Sequence, residues 1–204
     1  RMATRYRPKE GEMTVIDTMT TTYEGPGALD FRHQINERVD GAVKTDKRIK
    51  ITRASAEAEG EGSVSSKPGE SFSVAAGTLL PMQHQLRLMA LGQSGGGRDS
   101  SVIFDGSDEG NSVRAIAFVS KAKPAASLAR DAANPAAAPL KELSAWPTTV
   151  SYFKLDGSSE TPEYQVSFDM FENGVATGLV LDYGEFALSG TLADLKMLEA
   201  SDCP

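Results

Sequence analysis

The chain has 204 residues, of which 40% are hydrophobic and 24% charged, and it carries a formal net charge of −7. These values are typical of a globular protein that can bury a sizeable core. They argue against nucleic acid as a general partner, because phosphate binding requires a basic surface. No run approaches the ~20 apolar residues of a membrane span. Because one cysteine cannot form a disulfide within the chain, Cys203 is a free thiol or pairs with a residue outside this chain.

The chain begins Arg1-Met2-Ala3-Thr4, which is neither an ordinary start nor a signal peptide with an apolar centre. We therefore expect it to be an N-terminally truncated part of a longer protein. Its length fits one domain, so we expect a single β-rich domain over residues 1–204.

Strand patterns dominate the first third of the chain. Residues 13–23 are rich in Thr and β-branched side chains and end at a Glu-Gly-Pro-Gly turn cluster. Residues 31–39 alternate as a strand that ends at Asp40-Gly41, and residues 42–53 form a basic strand. Residues 56–66 are rich in Glu, Gly and Ser, which predicts a turn region with a short strand near Val64.

One helix is predicted over residues 81–91. Pro81 suits the first position of a helix, strong helix formers follow, and Gly92 ends the pattern. Met82, Leu86 and Met89 are spaced i, i+4 and i+7, which predicts that they face the core.

Strand patterns return after the helix. Residues 101–104 and 112–119 flank a polar turn, and further strands are predicted at 148–155, 164–172, 175–183 and 186–192. Residues 123–139 are rich in Ala and Pro and offer little that could pack, so we expect a surface loop. Consecutive antiparallel strands and one helix predict a mainly β protein, with a long curved antiparallel sheet or open barrel and the helix packed on it.

Asn173-Gly174 predicts a two-residue type I′ hairpin turn, because Asn and Gly tolerate positive φ. This turn pairs Glu172 with Val175, Met170 with Thr177, Phe168 with Leu179, Val166 with Leu181 and Tyr164 with Tyr183. A slip of one residue would move the apolar side chains to the other face of the sheet.

No enzyme signature is present in the sequence. The two histidines, His33 and His84, lack the neighbouring ligands that a metal site requires. No nucleophile elbow or phosphate-binding loop occurs. We expect His84 to be a hydrogen-bonded packing residue, and we expect no catalytic residue, metal or cofactor.

Cys203 lies next to the end of the chain, where a disulfide can staple a terminus that would otherwise fray. Asp202 beside it disfavours a reactive thiolate. We expect a disulfide between Cys203 and a residue upstream of Arg1.

Several motifs together resemble one family. They are LPMQH at 80–84, FDGS at 104–107, WPTTVSYF at 146–153, TPEYQVSF at 161–168, FENGV at 171–175, LDYGEFAL at 181–188 and the final CP at 203–204. In this order they resemble the EipB family of cell-envelope integrity proteins, which are periplasmic proteins of Gram-negative alphaproteobacteria built on a domain of unknown function.

The resemblance implies an antiparallel sheet coiled into an open spiral, similar to periplasmic lipoprotein carriers. It also implies a secreted, periplasmic protein whose two cysteines form a disulfide, with Cys203 matching the C-terminal one. The other cysteine of the family lies in an N-terminal region that this chain lacks. A missing strand would expose a sheet edge, which invites pairing with a second copy.

Three functions follow as hypotheses. The first is a non-enzymatic periplasmic protein that supports the envelope by binding a periplasmic or outer-membrane partner. The second is a carrier or sensor of an acyl chain or lipoprotein, held on the concave sheet face. A remote third is an enzyme acting on an envelope polymer. The expected lining of the concave face is Met82, Leu86, Met89, Phe168, Met170, Leu179 and Leu181.

Overall fold

The structure is a computed structural model that describes residues 2–6, 14–25, 29–104, 106, 111–128, 134–157 and 160–195. Its contacts divide the chain into two compact units. Unit 1 comprises Arg1–Gln83 with Val102–Val113, and unit 2 comprises His84–Ser101 with Arg114–Pro204. The interpretation of residues 1–204 as one domain stays a prediction.

Unit 1 is built on a six-stranded antiparallel sheet whose strands lie side by side in chain order. The strands are β1 (Met2–Tyr6), β2 (Thr14–Glu24), β3 (Asp30–Val39), β4 (Ala42–Arg53), β5 (Gly60–Val64) and β6 (Ser71–Val74). In β4 the buried positions are Ile49, Ile51 and Arg53. This alternation places one face of the sheet on a core and the other in water.

The core of unit 1 lies on the buried face of this sheet. Phe31 and Phe104 meet edge to face, with ring centroids 5.8 Å apart, and Phe72 stacks on Phe104 at 6.1 Å. The aliphatic residues around them are Ile49, Ile51, Val64, Val74 and Leu80. These edge-to-face and stacked contacts suit the ring quadrupoles.

Helix α1 spans Pro81–Gln93, which confirms the predicted helix and extends it by two residues. Its first turn is capped by a strand residue, since the Glu24 carboxylate accepts the backbone N–H groups of Met82 at 2.5 Å and Gln83 at 3.2 Å. An anionic group at a helix N-terminus satisfies free donors and complements the helix dipole.

The second sheet belongs largely to unit 2 and has the order β13-β12-β11-β10-β8-β7, with β9 paired to β10. Its strands are β7 (Gly97–Phe104), β8 (Ser112–Val119), β9 (Lys123–Pro124), β10 (Ser144–Lys154), β11 (Tyr164–Phe171), β12 (Ala176–Asp182) and β13 (Ala187–Gly190). The predicted fold class, mainly antiparallel β with one α-helix near 81–91, is confirmed, with the strands divided between two sheets.

One face of the second sheet packs against α1. A Cβ added to Gly92 would lie 2.4 Å from the indole of Trp146, so the helix backbone rests directly on that ring. Farther along, the Gln85 side-chain amide donates to the Gly174 carbonyl at 2.7 Å. Met170, which is paired with Trp146 across the strands, is fully buried on the same face.

The opposite face of the sheet is covered by the Ala/Pro-rich segment. This segment contains β9 and two 3-10 helices, Ala125–Ser127 and Pro135–Leu140. Leu128 and Ala137 are buried there in a cluster with Leu140, Ala145 and Phe171. The expectation that little in the segment could pack does not hold for Leu128 and Ala137, whereas the interpretation of residues 123–139 as a surface loop stays a prediction.

The hairpin between β11 and β12 departs from the predicted turn. Phe171 N–H donates to Val175 C=O, and Gly174 N–H donates to Phe171 C=O, both at 2.8 Å. This is a three-residue loop with Gly174 at φ +83°, a common alternative to the two-residue type I′ turn. Met170 therefore pairs with Ala176 and not with Thr177.

The predicted pairing is restored farther from the loop. A register shift lies between Ser167 and Asp169, and Gly178 on the partner strand has φ +60°, as expected for a β-bulge. Beyond it, Val166 pairs with Leu181, as predicted. The bulge adds one residue to β12 and so compensates for the additional loop residue.

Candidate functional site

The predicted core-facing stripe of α1 is wrong. The buried helix residues are His84, Leu88 and Gly92, whereas Met82 is 43% and Leu86 62% exposed. The close approach of Gly92 to Trp146 fixes which side of the helix meets the sheet. Side-chain spacing alone could not indicate a contact made by a residue without a side chain.

The other predicted lining residues are spread over differing environments. Phe168, Leu179 and Leu181 are half-buried, as is Met89, while Met170 is fully buried and cannot present a surface to a ligand. Their role as the lining of a concave face stays a prediction. Cys203 lies outside the described residues, and its disulfide stays a prediction as well.

An open groove of about 470 Å³ lies on the water-exposed face of the unit 1 sheet. The residues that line it are Thr21, Tyr23, Arg32, His33, Gln34, Arg48, Ile49 and Lys50. Arg32 pairs with Asp30 at 2.7 Å, and Arg48 pairs with Asp46 at 4.0 Å. Both arginines are about two-thirds exposed, at 65% and 68%. Flexible, already paired cations make this groove a poor preformed site.

A second cavity, of about 400 Å³, lies in unit 2 on the sheet face that the Ala/Pro-rich segment covers. We call it the hydroxyl cleft. Its floor is formed by the strand residues Phe118, Thr149, Ser167 and Asp169 with Ser120, which directly follows β8, and its wall by Lys123, Ser127 and Leu128 of the Ala/Pro-rich segment.

The hydroxyl cleft is held by backbone and side-chain hydrogen bonds. Thr149 Oγ1 and Ser167 Oγ lie 3.1 Å apart on neighbouring strands. Ser127 Oγ donates to the Pro124 carbonyl at 2.8 Å, which fixes the wall. Ser120 N–H donates to Pro147 C=O at 2.9 Å. Pro147 has no N–H to donate in return, so the ladder between β8 and β10 ends where the cleft opens.

The sequence contained one signal for this cleft. In β10 and β11 the hydroxyl residues Thr149 and Ser167 alternate with the buried or half-buried Val150 and Val166, so one face of both strands is polar. That alternation predicts a shared polar face. It does not show that a distant Ala/Pro-rich segment closes over the face.

A cluster of titratable groups joins α1 to β7. The Arg87 guanidinium donates to Asp99 at 2.7 Å and the Ser101 hydroxyl donates to the same carboxylate at 2.5 Å. Burial alone would raise the pKa of Asp99, but these hydrogen bonds and the charge of Arg87 lower it overall. The carboxylate is thus a structural ion-pair partner.

His84 is buried beside this cluster. The burial of His84 agrees with the predicted packing role. The predicted hydrogen bond is not found at Nε2, which has no partner in the described part of the chain. Burial lowers the pKa of His84 most, with Asp99 raising it and Arg87 lowering it further. Ser101 donates to Asp99, but the lowered pKa of that carboxyl makes it a weak base for activating a serine nucleophile.

A row of aromatic rings crosses the far end of the second sheet. Tyr152 and Tyr164 stack with centroids 4.4 Å apart, and Tyr183 and Phe186 continue the row at 5.7 and 5.0 Å. Burial raises the pKa of Tyr152 to about 12. Tyr152 and Tyr164 are half-buried, whereas Tyr183 is 40% and Phe186 57% exposed, so the row packs between strands at one end and is open to water at the other.

Two further kinds of site were sought among the described residues. No three His, Cys, Asp or Glu side chains there converge to hold a metal ion. In the same ranges, the helix lacks the length and apolar character needed to cross a membrane.

Comparison with known families identifies the chain. The sequence model of the family described as EipB-like matches residues 1–199. The chain belongs to the EipB-like family. The match spans strands of both units and the helix, so family membership does not rest on one motif.

Two relatives from Brucella abortus agree with this assignment. The cell envelope integrity protein EipB of strain 2308 is 28% identical over 202 residues, which cover 98% of this chain and 69% of the relative. A crystal structure of a beta-barrel-like protein of a domain of unknown function is similar with a TM-score of 0.79 and 22% identity. That similarity covers 97% of this chain and 80% of the other, and it supports the fold.

Proposed function

We propose that this EipB-like protein is a non-enzymatic periplasmic protein that supports cell-envelope integrity by binding a periplasmic or outer-membrane partner. The observation that carries the proposal is the family match over residues 1–199. The Brucella relative is named a cell envelope integrity protein, and its similarity extends along 98% of this chain.

The geometry of the titratable groups supports a binding role over catalysis. Asp99 is occupied by Arg87 and Ser101, and His33 Nδ1 is 2.8 Å from the Thr22 hydroxyl on a neighbouring strand. Thr22 is the hydroxyl within hydrogen-bond reach of His33, and His84 Nε2 has no hydrogen-bond partner in the ranges that the structure describes. A general base needs a reacting group within hydrogen-bond reach.

The test is a deletion in the species that encodes the protein. We expect the deleted strain to become more sensitive to cell-wall antibiotics and detergents, with sensitivity restored to normal by an exported copy of the gene. A copy without an export signal should fail to restore it. Normal tolerance in the deleted strain, or full rescue by the unexported copy, would contradict the proposal.

A carrier of an acyl chain or lipoprotein is the second candidate. The observation that favours it is the exposure of Met82 and Leu86, apolar residues one turn apart on α1. Methionine adapts well to irregular apolar ligands. Native mass spectrometry of protein purified from the periplasm tests the candidate, since a carrier should retain a co-purifying lipid and a bare mass would count against it.

A further inference from the structure

The hydroxyl cleft has the dimensions of a small-molecule site. Its volume of about 400 Å³ falls within the ~300–1,000 Å³ that such sites occupy. Its floor comes from three paired strands and its wall from the segment that buries Leu128 and Leu140 against the sheet. The cleft is therefore built by packed elements and is not a gap between mobile side chains.

The charges of the hydroxyl cleft oppose one another. Among its lining residues, the charged ones are Lys123, which is exposed, and Asp169, which is 7% exposed. One ammonium and one carboxylate balance within the lining, and the Arg98 guanidinium beside the Phe118 ring adds a positive charge at its edge, so the cleft does not favour a cationic ligand. It is suited to a neutral polar molecule.

Hydroxyl groups supply most of the remaining polar lining. A hydroxyl both donates and accepts hydrogen bonds and rotates to suit its partner. The 3.1 Å contact between Thr149 Oγ1 and Ser167 Oγ uses one hydrogen of that pair. The pair therefore keeps one hydrogen to donate and lone pairs to accept. Ser120, which is exposed, adds a further hydroxyl at the edge of the floor.

An aromatic ring completes the floor. Phe118 is 54% exposed although it belongs to a central strand, and the Arg98 guanidinium carbon lies 5.7 Å from its ring centroid. An exposed ring offers apolar surface of fixed orientation at low entropy cost. A ligand that uses both the ring and the hydroxyls must carry an apolar face and a polar rim.

We propose that the hydroxyl cleft binds a neutral saccharide, with a pyranose ring lying on Phe118 and its hydroxyls exchanging hydrogen bonds with Thr149, Ser167 and Asp169. A pyranose has C–H groups on its faces and hydroxyls around its edge, which matches the ring and rim of the cleft. A carboxylate can accept several hydrogen bonds at once, so Asp169 can accept one from a sugar hydroxyl alongside its protein contacts.

The experiment is isothermal titration calorimetry of the full chain with each of two neutral trisaccharides. The trimer of N-acetylglucosamine represents an amino-sugar glycan and maltotriose a plain glucan. We expect at least one to bind with a dissociation constant of about 1 mM or lower, and the preferred sugar then indicates the source of the ligand. Absence of binding by both trisaccharides at several times that concentration would overturn the proposal.

Variants place the binding in the cleft. Phe118→Ala should weaken affinity by about tenfold, and the matched control Phe186→Ala, an aromatic residue of unit 2 that is 57% exposed, should leave it unchanged. Thr149→Val, which keeps the shape of the side chain, should weaken affinity by about threefold and keeps the test open if Phe118→Ala does not fold. Binding that survives both cleft variants in folded protein would also overturn the proposal.

The saccharide proposal and the envelope proposal fail separately. Calorimetry on the purified chain reports on the cleft, whereas antibiotic sensitivity of the deleted strain reports on the envelope role. A sensitive strain whose protein ignores both sugars would contradict the saccharide proposal alone.

Discussion

The cavities of the two units differ in the side chains that line them. The unit 1 groove is lined by long cationic side chains on a face open to water, and Arg32 and Arg48 are mostly exposed. The hydroxyl cleft of unit 2 is lined by short hydroxyl side chains beside the Ala/Pro-rich segment, and it is also open to water.

The difference shows how the length of the lining side chains affects the cost of ordering a site. Long exposed side chains lose rotamer freedom when they bind, which costs about 0.5–1.5 kcal/mol for each ordered side chain. Serine and threonine lose much less, particularly when hydrogen bonds already orient them. Unit 2 therefore has the better preorganised cavity, although the unit 1 groove is slightly larger.

The largest expected effect is a loss of folding stability when a glycine that lies against an aromatic ring is replaced, with one such glycine in each unit. Gly92→Val should lower the free energy of unfolding by about 3 kcal/mol, because the added side chain meets the buried Trp146 indole. Gly62→Val in unit 1 should cost about half as much, because Phe72 is half-buried and can shift.

Urea denaturation measures both glycine variants. Fluorescence of Trp146, the single tryptophan, reports on unit 2, and far-ultraviolet circular dichroism reports on all strands. Equal losses for both variants would contradict the view that the buried Trp146 ring yields less readily than the half-buried Phe72 ring. Gln93→Ala, at an exposed position next to Gly92, serves as the control.

The next largest effect on stability is expected from replacing one arginine in each unit. Arg53 is 8% exposed and donates to the Thr78 carbonyl at 2.9 Å and Gln83 Oε1 at 2.5 Å. Arg53→Met should cost about 2 kcal/mol, because buried acceptors lose charged donors.

Arg87→Met in unit 2 should cost about 1 kcal/mol, since the Arg87 side chain is 55% exposed and Asp99 keeps its bond from Ser101. Chemical denaturation of both variants checks the order. A greater loss for Arg87→Met would show that the partly exposed pair matters more than the buried one.

A smaller and opposite effect is expected from two buried threonines. Thr78 in unit 1 and Thr177 in unit 2 have hydroxyls without a hydrogen-bond partner among the described residues, and their exposures are 1% and 3%. Thr78→Val and Thr177→Val should each raise the free energy of unfolding by about 1 kcal/mol, because an unsatisfied buried hydroxyl is costly. A loss of stability in thermal unfolding would point to a partner for that hydroxyl.

The smallest effect is expected from the histidines, one in each unit. Burial lowers the pKa of both His33 and His84 from the ordinary value of 6.5, and Lys47 lowers the pKa of His33 further. As the pH falls, each histidine therefore binds a proton at a higher pH in the unfolded chain than in the folded one. Stability contributed by the neutral histidines is complete above pH 6.5 and is lost as the pH falls through the folded-state pKa values.

His84→Leu and His33→Gln should each flatten part of this pH dependence. The measurement is the unfolding free energy at several pH values between about 5 and 7, a window that the ordinary histidine pKa defines. His84 should account for the larger part, because it is 5% exposed whereas His33 is half-buried. A pH profile that neither variant changes would contradict the assignment.

The sequence predicts the elements of this fold better than the details of their packing. Helix α1 and the β10 to β13 strands follow from local patterns and from the family motifs. The helix face does not, since it depends on the approach of Gly92 to Trp146, which lies 54 residues farther along the chain by number. The path of the Ala/Pro-rich segment is equally non-local, because its few apolar residues pack only where the sheet presents Ala145 and Phe171.

The candidate site was harder to predict than the fold. Its residues come from three strands and a covering segment, at spacings that match no local motif. Hydroxyl residues are common in strands and turns, so their chemistry does not identify them. Only the register between Thr149 and Ser167 brings these two side chains together.

The bulge at Gly178 has an evolutionary consequence. The loop after Phe171 and this bulge are two departures of one residue that cancel, so Val166 lies opposite Leu181 as it would in a two-residue hairpin. Gly178 is the additional residue of β12, so its deletion alone would remove the bulge and leave Val166 opposite Leu181. The hairpin can therefore lose this residue without exchanging the two sides of β12.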